Sequence, residues 1–186
     1  MQSRKKLLRP PASRDEILNT CLGAFVKAGT LDLSLDELAA KVGSSKRMLI
    51  HYFGGRESIE EGAMSLLEDR LRIQFRADTF PPGTPLGKVV DLLWERATSA
   101  ESRGVLLLVM DLTRRAWSGS ARARKFYREQ QRLWVEMLMA FSNDRRLVES
   151  VLTLFQGAVL AYLVTGNRDR GRRAIEGLLG TRAETA

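Results

Sequence analysis

The chain has 186 residues, 44% of them hydrophobic, which suits a folded protein with a core and not a disordered one. Its 30 Lys and Arg against 22 Asp and Glu leave a net charge of +8, which favours a polyanionic partner, nucleic acid or an anionic membrane. A single cysteine, Cys21, and a single histidine exclude an internal disulfide and a His/Cys zinc site, so no metal or cofactor is expected and the compartment should be reducing.

Strand signals are nearly absent, with no sustained period-two alternation and no Asn-Gly or Asp-Gly hairpin, so the fold class expected is all-α. Residues 1–13 form a basic arm: Arg4, Lys5, Lys6 and Arg9 occur without an acid, and Pro10-Pro11 delay helix until Ser13, a suitable cap. No apolar run long enough for a signal peptide follows these charges, so a cytoplasmic protein is expected. From Arg14 to Ala28, Ile17, Leu18, Cys21, Leu22, Phe25 and Ala28 keep helical spacing, and Gly29 closes the segment. Cys21 lies on that apolar stripe, as an inert core thiol would.

Ser34, with Glu37 three residues on, is a capping box for a second helix ending at Val42. Gly43 permits a turn, Ser44 or Ser45 caps again, and Lys46 to Phe53 make a third short helix ended by Gly54-Gly55. Two short helices joined by a three-residue turn have the dimensions of a helix-turn-helix, whose second helix enters the major groove. Leu38, Ala39, Val42 and Leu49 have the spacing to pack inward, leaving Ser45, Lys46, Arg47, Met48, His51 and Tyr52 outside. Arg47 suits guanine O6 and N7, Met48 a thymine methyl, and Lys46 a base or a phosphate. Ser34 and Ser45 at helix starts, with His51, Tyr52 and Arg56, suit phosphate contacts.

These residues resemble the TetR family of transcriptional regulators: Phe25 and Gly29, then SLDELAAKVGSSKRMLIHYFGGRESI, with Ala39, Gly43, Ser45, Leu49, Phe53 and Glu57 in register and Arg56 at the usual lysine. Ile50 replaces a frequent tyrosine, His51-Tyr52 reverse the common order, and Arg47 stands where a small residue is usual. The resemblance implies a homodimer on double-stranded DNA, a small-molecule effector in the C-terminal body, and repression relieved when that effector binds.

The rest reads as helical body: residues 14–58 make the DNA-binding domain and 59–186 the ligand-binding and dimerisation domain. A long helix from Arg56 to Ala77 is stopped by TFPPGTP, and helices follow at Leu86 to Ala100, Arg103 to Trp117, Ser120 to Phe141, Arg145 to Leu163 and Arg168 to Leu179. Glu60-Glu61 and Glu68-Asp69 read as solvated, as does the basic run SARARKFYREQQRLW. Trp94, Met110, Trp117, Phe126, Trp134, Met137 and Phe155 read as core, some of it pocket lining, and Arg114 and Gln156 as polar groups able to orient a ligand. Leu147 to Thr165 approaches the length of a membrane span but carries Glu149 and Gln156 and stands alone, so a packed helix is expected and no membrane partner. Its excess apolar surface, with Gly157, Ala158 and Ala161, fits a four-helix bundle between two copies. G-x-S-x-G, a phosphate-cradling glycine loop and HExxH are all absent, so no enzyme is expected. The alternatives are a DNA-binding or protein-interaction module without a ligand and a basic membrane-surface protein.

Overall fold

The computed structural model describes residues 13–73 and 76–183, and among them every regular element is a helix. Of the basic arm only Ser13 falls within that range; its hydroxyl accepts the Glu16 amide while the Glu16 carboxylate takes the Ser13 amide, a capping box. Among the described residues nine α-helices follow: α1 Arg14–Ala28, α2 Leu35–Val42, α3 Lys46–Phe53, α4 Arg56–Ile73, α5 Leu86–Ala97, α6 Arg103–Trp117, α7 Ala121–Leu138, α8 Arg145–Thr165 and α9 Arg168–Ala183.

The apolar residues divide into two cores. The first holds Ile17, Cys21, Leu22 and Phe25 of α1, Leu38, Ala39, Leu49 and Phe53 of α2 and α3, and Ile59, Ala63, Met64 and Leu67 of α4. A boundary after Ser58 therefore cuts α4 just before its contribution to this head. Cys21 has no exposure, and burial pushes its thiol up to about 11. The second core joins Val89, Val90 and Trp94 of α5 to Val135, Leu138, Val148, Val151, Val159 and Ile175 of α7, α8 and α9.

Helix α6 touches both cores: Leu108 lies in the first and Leu106 in the second. The crossing with α1 is close, because a β-carbon at Gly104 would stand 2.3 Å from the Val26 carbonyl oxygen. A side chain there would drive the two helices apart.

Several boundaries differ from the periodicity. α5 stops at Ala97 because the Thr98 hydroxyl turns back to the Trp94 carbonyl, 2.8 Å away, and the Ser102 hydroxyl takes the Arg96 carbonyl at 2.7 Å. α4 is described to Ile73 and the chain is out of it at Arg76, and α7 ends at Leu138 before a single 3-10 turn, Met139–Phe141.

α8 is long and apolar enough to cross a membrane by length and composition, yet only 28% of its most apolar window is buried inside the chain. Its inner face packs on the body, and its outer face carries Thr153, Gly157, Leu160 and Val164 at helical spacing, with Val164 78% exposed. Ala158 does not belong to that outer face. It is buried, packed toward α9, where a β-carbon on Gly171 would meet it at 3.1 Å.

Candidate functional site

The α2–α3 pair is shaped by local chemistry. The Ser34 hydroxyl accepts the Glu37 amide at 3.2 Å and the Glu37 carboxylate accepts the Ser34 amide at 2.8 Å, which holds that carboxyl below its ordinary range. The turn follows because Gly43 takes φ of +64°, a conformation L side chains rarely adopt. Ser45 then caps α3 through the Met48 amide at 3.2 Å. Leu49 and Phe53 drop into the head core, which fixes the rotation of α3 and turns Lys46, Arg47, Ile50 and His51 outward.

On that outward face Arg47 is exposed and has no hydrogen bond or ion pair among the described residues. Lys46 pairs with Asp36 at 2.9 Å, but both partners are about half or more exposed, so the pair is weak and readily exchanged for a phosphate. His51 leans on Tyr52, ring centroids 5.4 Å apart, and Tyr52 is half-buried against Phe53. Met48 is half-buried at the start of the helix. The hydroxyls of Ser34 and Ser45 accept cap amides and keep their own protons to donate, although the Glu37 carboxylate beside Ser34 opposes an anion there.

Two residues are placed differently from their sequence reading. Arg56 turns into the protein: its guanidinium meets Glu60 at 2.6 Å, Asp32 at 3.2 Å and the Leu31 carbonyl at 3.4 Å. Ile50, at 44% exposure, joins the outer face, four residues from Lys46 and three from Arg47. A helical wheel through Lys46 and Arg47 contains it, but an apolar residue in a capped helix reads first as core.

Arg56 belongs to a charged junction between head and body. Arg115 of α6 reaches Glu60 at 2.9 Å and Asp32 at 2.8 Å, while Arg114 meets Asp111 at 2.8 Å and Asp32 at 3.3 Å. The Asp111 carboxylate accepts the Leu31 amide at 3.0 Å. Burial would raise its pKa, but that amide and the two arginines outweigh burial and hold it low. Arg122 of α7 adds a pair with Glu57 at 3.1 Å and another with Glu61. Glu60 is thus not solvated as its sequence position suggests; at 9% exposure it is a shared acceptor for two arginines.

In the body a cavity of about 180 Å³ opens between α4, α5, α6, α7 and α8. Met110, Phe126, Trp134, Phe155 and Gln156 line it, as their types and spacing suggest, with Leu71, Val105 and Val109. Gln156 is fixed by the Tyr127 hydroxyl at 3.2 Å. Trp94, Met137, Arg114 and Trp117 do not line it. Trp94 stands behind the wall at 2% exposure, edge-on to Phe155; Arg114 is tied into the junction; Trp117, at 89% exposure, points to solvent where α6 ends. Glu68, expected on the surface, is 7% exposed and lines the cavity, because α7 covers it with Trp134. In the basic run the arginines and Lys125 are exposed, while Phe126, Tyr127 and Trp134 turn to the cavity.

The architecture matches known structures. A crystal structure of a protein from Rhodococcus sp. assigned to the TetR family of transcriptional regulators superposes with a TM-score of 0.71 at 18% identity, covering 90% of this chain and 97% of that one. A TetR-family transcriptional regulator from Streptomyces coelicolor superposes at 0.69, also 18% identical, covering 93% of this chain and 82% of that one. No protein-family model and no curated protein matches the chain. At this identity the likeness establishes the fold, which this chain shares with TetR-family regulators over nearly its whole length.

Proposed function

We propose that this chain is a cytoplasmic, non-enzymatic transcriptional regulator that binds a palindromic operator as a homodimer and acts as a repressor released by a small apolar or amphipathic effector. The observation that carries DNA binding is the outer face of α3, where Arg47 is exposed and unpaired among the described residues with Lys46, Ile50 and His51 around it. Arg47 and Ile50 take base edges in this reading, and Lys46, His51, Tyr52 and the hydroxyls of Ser34 and Ser45 take phosphates. Arg56 serves by holding the first turn of α4 against Asp32 and Glu60.

The effector reading is supported by α6, which lends Val105, Val109 and Met110 to the cavity and Asp111, Arg114 and Arg115 to the junction with the head. A ligand that moves α6 therefore moves groups bonded to the head, and in a dimer this changes the spacing of the two reading helices. The same cavity favours this reading over a DNA-binding module without a ligand. Dimerisation is assigned to the exposed α8 stripe of Thr153, Gly157, Leu160 and Val164, which also accounts for the apolar surface without a membrane.

Selection of bound duplexes from a random pool tests the proposal. The expected product is an inverted repeat with half-sites about one helical turn apart or a multiple of it. No enrichment would remove DNA reading, and a single unrepeated half-site would remove the dimer.

A further inference from the structure

The apolar lining of the body cavity is interrupted by one carboxylate, and its partners leave it incompletely matched. Glu68 Oε2 accepts the Trp134 indole N–H at 2.9 Å, and its other oxygen has no hydrogen bond among the described residues. Arg72 lies 3.9 Å from Oε2, too far for a hydrogen bond, and its guanidinium is engaged by Asp69 and by Gln130. Burial pushes the Glu68 pKa up and the Asp69 charge adds to the rise, while the Trp134 bond and Arg72 oppose it. The other charged residue of the lining is Arg96, which is exposed. Among the residues that line the cavity the negative charge therefore sits inside and the positive charge in water, while the largely buried Arg72 guanidinium stands behind Glu68 and not in the lining.

We propose that the cavity selects amphipathic cations: a protonated nitrogen donates to the unbonded Glu68 oxygen while an apolar body lies among Leu71, Val109, Phe126 and Phe155. This rests on the reading of the cavity as an effector site and names the chemical class it takes. A charge-assisted bond to a carboxylate already desolvated by the fold is stronger than a neutral one, and the ligand supplies the hydrogen bond that Arg72, at 3.9 Å, does not make. An aliphatic anion would gain only a screened contact with Arg96 and would meet the Glu68 charge if it went deeper.

Calorimetric titration of the full chain at neutral pH with octylamine, 1-octanol and octanoate tests this class. Octylamine should bind about ten-fold or more tighter than octanol, and octanoate should bind weakest. Glu68→Gln should bring octylamine down to octanol while leaving octanol unchanged. Octanoate binding tightest, octylamine and octanol binding alike, or an amine preference that survives Glu68→Gln would each overturn the assignment. Binding of none of the three would instead remove the effector reading, and this inference with it. The ranking is read on the unmodified protein, so it decides the matter even if the variant does not fold.

Discussion

The head and the body of this protein differ in how far along the chain the contacts lie that place their helices, although α7 and α8 of the body also begin at side-chain caps, Ser120 and Asp144. In the head, α1, α2 and α3 each begin at a serine whose hydroxyl takes a backbone amide and each end at a glycine of positive φ, so every boundary is set within a few residues. In the body, α5 and α6 begin without a side-chain cap, and the elements are placed by contacts from far along the chain: Trp134 with Glu68, Tyr162 with Thr98, and Arg168 with Thr98. The groups assigned to the two proposed sites differ in the same sense. The head points Arg47 and Ile50 at solvent, whereas the body turns Glu68, Phe126 and Phe155 inward. An outward group is oriented once its helix is seated by two core residues, here Leu49 and Phe53, whereas an inward group is also defined by every side chain that closes over it.

The largest effect should come from separating two copies of the body while leaving each head intact. Leu160→Glu places a charge in the exposed α8 stripe, and an interface of the size an obligate dimer needs, roughly 2,000 Å² or more, does not tolerate one unpaired. Monomers in a sedimentation experiment, with operator binding lost, are the expected result. A soluble dimer that still binds would move the interface elsewhere. Ala158→Glu is the poorer probe, because Ala158 is buried within its own chain and its loss would damage the fold.

Next is the joint between the two regions. Arg115→Ala removes three pairs, to Glu60, Asp32 and Asp111, and leaves Glu60 buried with Arg56 alone. With the Arg115 side chain 20% exposed and Asp32 58% exposed, a cost of about 2 kcal/mol is expected, below the roughly 3–5 kcal/mol of a fully buried pair. Urea unfolding followed separately by the tryptophans, all of which lie in the body, and by a probe in the head should lose its coincidence if the joint is what makes the regions cooperate. Coincident transitions would place cooperativity in the apolar contact of α6 instead.

A change confined to the head should leave stability alone. Arg47→Ala should cost about 1–3 kcal/mol of operator binding and relax preference at one base per half-site. Its unfolding free energy should stay within about 0.5 kcal/mol of the parent, as for an exposed side chain without partners. An unchanged base-preference profile would take direct reading away from Arg47.

The smallest effect concerns Glu68 and depends on pH. Burial raises its pKa above the unfolded value, so the folded state binds this proton more tightly. The contribution is favourable while the carboxyl is protonated and is lost as pH rises through the folded pKa, beyond which the buried charge weighs against folding. Glu68→Gln should therefore raise the melting temperature at neutral pH by a few degrees, with the gain shrinking as pH falls toward the ordinary carboxylate range. A gain that does not change with pH would assign the effect to packing.

The parts of the fold legible in advance were those with short-range causes. The cap at Ser13, the capping box at Ser34, the turn at Gly43 and the span Lys46 to Phe53 follow from residues three or four apart, whereas the reciprocal bond from Glu16 that completes a box at Ser13 emerges only from the structure. Glu60 and Glu68 looked solvated because their acidic neighbours on α4 mark a polar face; what covers them, Arg115 and Trp134, comes from more than 50 residues away. Trp117 looked like lining because a tryptophan usually needs burial, yet it stands where α6 runs out and no other element covers it.

The sequence by itself determined that this is an all-helical chain with a basic, outward-facing short helix after a glycine turn, since helix period, caps and charge are properties of neighbouring residues. Which carboxylates lie in water, that Arg56 turns from the outer face to brace α4, and that an apolar cavity is lined by a single acid were decided only when α6 and α7 packed across α4. Desolvation depends on every atom brought within a few ångströms, and that list is written by the tertiary fold.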